Sequence, residues 1–261
     1  MSRKKKEGNV RGGESEHPLM SIYTPEDFHD YRVNREGFVI YVGGEHSQAD
    51  DTHVLDEPGV EYRMADRFEG NLDMLSGIDP NRPILVKISS CGGYWEPGMQ
   101  MFGAILTCPN PITVLDTKWA RSMTSIIPLA ADKFVMREPA QYMYHRGTFA
   151  FSGLDQEAET ANEERVRANE IMYRIYTTRL LEQGKFSNWS EKRVRAMLEQ
   201  KSREKIDTWL TATEAKKWGF VDEIYDGNPN TLRATVKNET RRAAMMETLK
   251  KPVRVNVKVS R

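Results

Sequence analysis

Cysteine is scarce in this 261-residue chain: Cys91 and Cys108 are the two present. They form no paired framework and no CxxC spacing, which argues against a disulfide scaffold, and no metal site is expected. Such usage fits a reducing compartment, so a cytoplasmic location is expected. No apolar run is long enough to span a bilayer, so no membrane partner is expected. The N-terminus has the basic run Arg3-Lys4-Lys5-Lys6 without an apolar stretch behind it, which is not the form of a secretory signal. Net charge is also lacking, with 38 Lys and Arg against 38 Asp and Glu. There is no GxxxxGK[ST] loop to cradle a nucleotide phosphate, so no ATP and no other cofactor is expected on this chain. No internal repeat occurs.

What is present is an ordinary globular composition, 39% apolar and 29% charged. A chain of this length can bury a core without metals or disulfides. The charge is uneven. From Leu232 to Arg261 there are nine Lys and Arg against two Glu. A basic tail can touch nucleic acid or an acidic partner. The plainer reading is a solvated tail, and nucleic acid is not an expected partner. The organisation reads as a basic segment 1–19 without fixed structure, a domain over 20–229, and a basic extension over 230–261.

Strand and helix patterns alternate along the domain. Residues 37–42 read as a strand, 45–60 as a long polar loop, and Met64, Phe68, Leu72 and Leu75 fall at helical spacing. Strands follow at 84–88 and 112–115, separated by a helix through Met99, Phe102, Ile105 and Leu106. Ser122 opens what reads as an apolar helix through Met123, Ile126, Ile127, Leu129 and Ala130. Two further strands, 133–136 and 141–144, precede one long helix over 155–183. Ser190 and the Thr211–Glu214 pair have N-cap spacing for shorter helices. Val253, Val255, Val257 and Val259 alternate as in a terminal strand. The fold class is therefore α/β with parallel strands.

Three features carry chemistry. Gly92-Gly93 after a buried strand lets backbone N–H groups approach a ligand or a reacting carbonyl, although most such pairs are tight turns. Ser122, at a strand-to-helix junction, lies among unpaired N–H groups at the positive end of the predicted helix; an isolated serine there equally serves as a cap. His145 ends the apolar strand 141–144, whereas His17, His29, His46 and His53 lie in the polar first quarter. A core histidine with a satisfied hydrogen bond is the alternative.

Together these segments resemble the proteolytic subunit of the Clp protease, a family of the ClpP/crotonase superfamily. Ser90-Cys91-Gly92-Gly93 is similar to the family's Ser-Pro-Gly-Gly, Ala120-Arg121-Ser122-Met123 to its Ala-Ala-Ser-Met, and Met143-Tyr144-His145 to its Met-Ile-His. The stretch Asp207–Ala215 resembles Asp-Arg-Phe-Leu-Ser-Ala-Pro-Glu-Ala, and Trp218–Asp222 the Tyr-Gly-Leu-Val-Asp pattern. The resemblance spans about residues 37–226 in order. It implies a ClpP/crotonase-like fold of repeated β-β-α units with a protruding handle helix. It also implies a serine endopeptidase with Ser122 as nucleophile, His145 as general base, Asp207 as the orienting carboxylate, and the Gly93 and Met123 N–H groups as oxyanion hole. Further implied are protein or peptide substrates, a homo-oligomer of stacked heptameric rings enclosing a chamber, and an AAA+ unfoldase that uses the ATP.

This chain departs from the pattern at several positions. Cys91 stands for a proline, Arg121 for a small residue, Thr124 for a glycine, and Arg146-Gly147 for Gln-Pro. These changes touch the expected pocket walls. The span from His145 to Asp207 is longer than usual. A capsid-maturation (prohead) protease of a tailed phage, on the same fold, is an alternative role. A catalytically silent ring subunit is another, against which all three triad positions carry fitting residues. Cys91 as nucleophile has no cation placed beside it by the sequence. The enoyl-CoA hydratase branch lacks this Ser–His–Asp order. A Ser–Lys dyad through Lys118 or Lys133 is weaker than the ordered triad.

Overall fold

The apolar, β-branched runs of the sequence pair into one eight-stranded mixed sheet in the computed structural model, whose described residues are 31–43, 59–147, 149, 151–232 and 236–253. The expectations for residues 1–19, for most of the loop 45–60 and for the valine alternation beyond Val253 fall outside them. β1 (Val33–Asn34) and β2 (Val39–Val42) form an antiparallel pair. From β2 the sheet runs parallel through β3 (Ile84–Ser90), β4 (Ile112–Arg121), β5 (Lys133–Arg137) and, at its far edge, β8 (Glu223–Tyr225). The α/β expectation with parallel strands holds.

β4 organises the sheet. Residues 112–116 are fully buried, as in a parallel strand covered on both faces. The strand does not end at Leu115, as the apolar run suggested, but continues to Arg121. Its first half pairs with β5 through Thr113–Asp116. Its second half pairs through Trp119–Arg121 with β6 (Gln141–Tyr144), which in turn holds β7 (Thr208–Thr211) antiparallel.

The helices follow the predicted spacings. In α1 (Tyr62–Ile78), Met64, Phe68, Leu72 and Leu75 are buried, and the Glu61 carboxylate caps the first turn by accepting from the Met64 N–H at 3.0 Å. α1 packs on α2 (Trp95–Thr107). The long helix α3 (Asp155–Glu182) has two characters: residues 156–168 are exposed or half-buried, while Met172, Tyr173, Ile175, Tyr176 and Leu180 are in the core. A projecting first half on an anchored second half has the form of a handle. Ser190 caps α4 (Glu191–Glu204) by accepting from the Arg193 N–H. Thr211 and Glu214 form the predicted reciprocal capping box of α5 (Ala212–Trp218).

Two expectations are corrected. The segment after Ser122 is not an α-helix but two 3₁₀ turns, Ser122–Ser125 and Ile127–Ala130. Pro128, in the second, has no N–H to give to a helical ladder. The basic tail is not uniformly solvated: residues Glu239–Lys250 form α6, which packs on α3 with Arg241 and Arg242 both 4% exposed. Arg242 holds Asp132 through Nε (2.8 Å) and Nη2 (2.5 Å) and donates to the carbonyls of Cys108 and Asn110. Arg241 and Arg179 converge on Asp222, and Arg241 also bonds Glu182. Burial acts to raise the Asp222 carboxyl, but the two guanidiniums and the Phe134 N–H outweigh it and hold the group at about 2.

Removing one partner of such a buried pair strands the other charge. We expect Arg242→Ala to lower the unfolding free energy by about 3–5 kcal/mol, read from urea denaturation. Because the folded pKa of Asp222 lies below its model value of 3.8, its contribution is complete above that value and is lost as pH falls toward 2. Acid titration of the native circular dichroism signal checks this.

Candidate active site

Strand register brings the three predicted residues together. β4 and β6 run parallel with Arg121 opposite Met143, so Ser122 and His145 leave adjacent strands at the same end. β6 and β7 are antiparallel with Tyr144 opposite Thr208, so the residues just outside this pair, His145 and Asp207, face each other. The outcome is a continuous chain of contacts. Ser122 Oγ lies 2.7 Å from His145 Nε2, and His145 Nδ1 lies 3.2 Å from Asp207 Oδ1. The carboxylate accepts the Nδ1 proton, which leaves the Nε2 lone pair for the Ser122 hydroxyl.

Ser122 has φ +52, in the left-handed region that a side chain disfavours. Such a conformation costs about 1–3 kcal/mol and persists where the surroundings enforce it. Here the enforcement is visible. The buried Thr124 hydroxyl accepts from the Arg121 N–H at 3.0 Å and lies 2.8 Å from both the Ser90 and Arg121 carbonyl oxygens. The Ser125 hydroxyl donates to the Ser122 carbonyl at 2.6 Å and meets Tyr176 Oη at 2.7 Å, and Tyr142 donates to the Ser125 carbonyl. Thr124, expected to alter a pocket wall, instead ties the ends of β3 and β4 together beneath the serine.

The glycine pair divides its work. A Cβ on Gly92, which has φ +93, would lie 2.5 Å from Ser122 Cβ and 2.9 Å from the Met123 N. Gly92 is therefore what admits the neighbouring backbone to the serine turn. Gly93 pairs with Val60 as a parallel bridge, in which the Gly92 carbonyl and the Tyr94 N–H bond Val60. By the alternation of such a bridge, the Gly93 N–H points to the side away from Val60. The Met123 N–H opens a 3₁₀ turn, so its local field is that of a turn and not of an α-helix terminus.

His145 has a side chain 15% exposed against 39% for Asp207. Burial lowers the imidazole pKa below its usual 6.5, and the Asp207 charge and hydrogen bond oppose this without cancelling it. The ring is thus a neutral base at neutral pH. Lys133 is engaged elsewhere, with Glu223 at 2.5 Å and the Thr231 carbonyl at 2.6 Å, and Lys118 lies over the Trp119 ring. Among the described residues no cluster of three His, Cys, Asp or Glu is placed to hold a metal, and no helix is long and apolar enough to cross a membrane.

An arginine adjoins two of the triad residues in sequence, Arg121 before Ser122 and Arg146 after His145. The Arg121 guanidinium lies 3.9 Å from the Trp119 ring and 4.6 Å from that of Trp209. It is also within electrostatic reach of Cys91, a neighbour the sequence did not reveal. Arg146 lines a cavity of about 260 Å³ between α3 and α4 with Tyr173, Arg203 and Arg195, the last paired with Glu170 and Glu199, which line it too. Sequence reasoning missed Gly92, Thr124, Ser125 and Tyr176 as supports of the serine. The Gly-Gly pair was a signal for Gly92; the others depend on contacts 34 and 51 residues distant.

The histidine can be followed directly. Its ring protons should titrate below 6.5 in NMR spectra of the folded protein, and Asp207→Asn should move the midpoint further down, because it removes both influences that raise it. A midpoint unmoved or raised in that variant contradicts the contact.

Several known proteins are similar to this chain. The model of the family described as Clp protease matches residues 47–228, more than two thirds of the chain. The ATP-dependent Clp protease proteolytic subunit 2 of Thermobifida fusca is 27% identical over 176 residues, which are 66% of this chain and 79% of that protein. Subunit 1 of Protochlamydia amoebophila is 27% identical over 69% of this chain and 83% of its own length. A solved structure of a ClpP1 mutant from Listeria monocytogenes superposes with a TM-score of 0.57 at 23% identity, covering 80% of this chain and 98% of that one. That likeness shows a shared fold, the one the sequence resemblance implied. With the family model covering β3 to β8 and the positions of Ser122, His145 and Asp207, the chain belongs to the Clp protease family, a family of peptidases.

Proposed function

We propose that the protein is a serine endopeptidase in which Ser122, His145 and Asp207 act as one triad. The observation that carries this reading is the unbroken Oγ–Nε2–Nδ1–Oδ1 sequence at 2.7 and 3.2 Å. His145 Nε2 takes the hydroxyl proton as Ser122 Oγ attacks a peptide carbonyl carbon. Asp207 stabilises the imidazolium so formed. The Gly93 and Met123 N–H groups receive the oxyanion, each such donor being worth about 3–4 kcal/mol to a transition state. The imidazolium then gives its proton to the leaving amine, and the acyl-enzyme is released by water. The strained, enforced backbone of Ser122 favours this active role over that of a silent subunit.

The same reading extends to assembly. The projecting half of α3, with Phe149, Phe151 and Leu154 exposed by 48%, 40% and 71% near its start, suits contact with another copy of the chain. We place the protein in homo-oligomeric stacked rings in the cytoplasm, fed by an ATP-driven unfoldase. The names of the relatives, which describe proteolytic subunits of an ATP-dependent protease, support this.

Ser122→Ala should reduce cleavage of a fluorogenic peptide by roughly 10⁴–10⁶-fold while leaving the circular dichroism spectrum unchanged, and should abolish labelling by a fluorophosphonate. Cleavage unchanged in that variant refutes the triad. The base must be neutral, so kcat/KM holds down to the lowered pKa of His145 and then falls about tenfold per pH unit. Native mass spectrometry reports the assembly, and a monomer contradicts the ring.

A further inference from the structure

Strand alternation puts an unusual cation on the same face as the triad. In β6 and β7, Tyr142, Tyr144, Thr208 and Leu210 turn into the core. Met143 and Trp209 stand on the opposite face, and the same alternation carries His145 and Asp207 onto it. The register pairs Arg121 with Met143, so the Arg121 side chain shares that face, one residue before Ser122.

Its surroundings hold the guanidinium in place without pairing it to a carboxylate among the described residues. The Trp119 and Trp209 rings lie 3.9 and 4.6 Å from it, contacts that suit a planar guanidinium. Gln141 Oε1, an uncharged acceptor, takes one Nη2 hydrogen at 3.2 Å, and Nε is buried without a partner. Among the described residues no carboxylate forms an ion pair with Arg121. Two acidic groups are within electrostatic reach, first the Cys91 thiol and then Asp116; burial raises the Asp116 pKa to about 8, so that carboxyl is protonated at neutral pH. A planar cation against two indoles, with an uncharged acceptor as its side-chain hydrogen-bond partner, is chemistry that suits a carboxylate.

We propose that Arg121 is a specificity-determining residue that selects peptides with an acidic side chain, Asp or Glu, next to the scissile bond. This rests on the peptidase reading of Ser122. The neighbouring Arg146 and Arg203, for which no ion pair is found among the described residues, add positive potential on the His145 side.

The test uses matched internally quenched peptides, amidated at the C-terminus, with Glu, Gln or Lys placed in turn on either side of the cleaved bond. One further arm gives the Gln peptide a free C-terminal carboxylate. For the wild-type protein we expect kcat/KM for Glu to exceed that for Gln by about tenfold in one position, with Lys below both. The ratio should shrink as salt is added. Arg121→Gln should bring the Glu/Gln ratio to about one, and Arg121→Lys should keep part of it. Because the ratio is taken within each variant, a general loss of rate does not affect it. If Arg121→Gln does not fold, the wild-type ratio and its salt dependence decide. A wild-type ratio within about twofold of one, or a ratio surviving Arg121→Gln, overturns the proposal. So does a preference confined to the free terminal carboxylate. Failure to cut any peptide, with Ser122 unlabelled by fluorophosphonate, refutes instead the peptidase reading beneath it.

Discussion

The pairing register of three short strands governs this site. Arg121 opposite Met143 and Tyr144 opposite Thr208 are the alignments that place Ser122, His145 and Asp207 within hydrogen-bond reach. A slip by one residue would turn each of these side chains to the other face of the sheet. The register is secured on the core face, where Tyr142, Tyr144, Tyr176, Trp218 and Phe220 pack with ring centroids between 4.7 and 6.4 Å apart. Each such pair adds about 0.5–1.5 kcal/mol beyond area burial. Tyr144 and Thr208 cannot exchange faces with Met143 and Trp209 without dismantling that cluster.

The same aromatic layer reaches Ser122 from below. Tyr176 belongs to the anchored half of α3, and its hydroxyl meets Ser125, which holds the Ser122 carbonyl. The handle helix and the serine turn are therefore linked by two hydrogen bonds. Thr124 supplies the second support, against β3. Strain at Ser122 is thus balanced by interactions that lie wholly outside the reacting groups, which leaves the hydroxyl free to face His145.

How much of this was legible in the sequence depended on the kind of interaction involved. Helices with an apolar stripe, such as α1, and caps with a local partner, such as Ser190 and Thr211, are written in neighbouring residues and were read correctly. The order of motifs around Ser122, His145 and Asp207 carried the family resemblance, and the fold brings those three together. The turns after Ser122 misled because Ile126, Ile127 and Leu129 are buried at near-helical spacing although the backbone is 3₁₀. α6 went unread because its buried residues are Arg241, Arg242, Met245 and Thr248. Hydrophobic periodicity is silent about a helix that docks through guanidiniums. The stacking of Arg121 between Trp119 and Trp209 needed the β4–β6–β7 register, which no local pattern contains.

The burial of Arg241 and Arg242 also bears on the order in which a growing chain can acquire its structure. Asp132 and Arg242 are separated by 110 residues, and Asp222 waits for Arg241 across 19. Every residue of the Ser–His–Asp constellation leaves the ribosome before either arginine does. Until α6 arrives, Asp132 lacks its Arg242 partner and Asp222 has only Arg179 of its two guanidiniums. The completion of the core is thereby tied to the late appearance of one short helix, after Ser122, His145 and Asp207 have all been made.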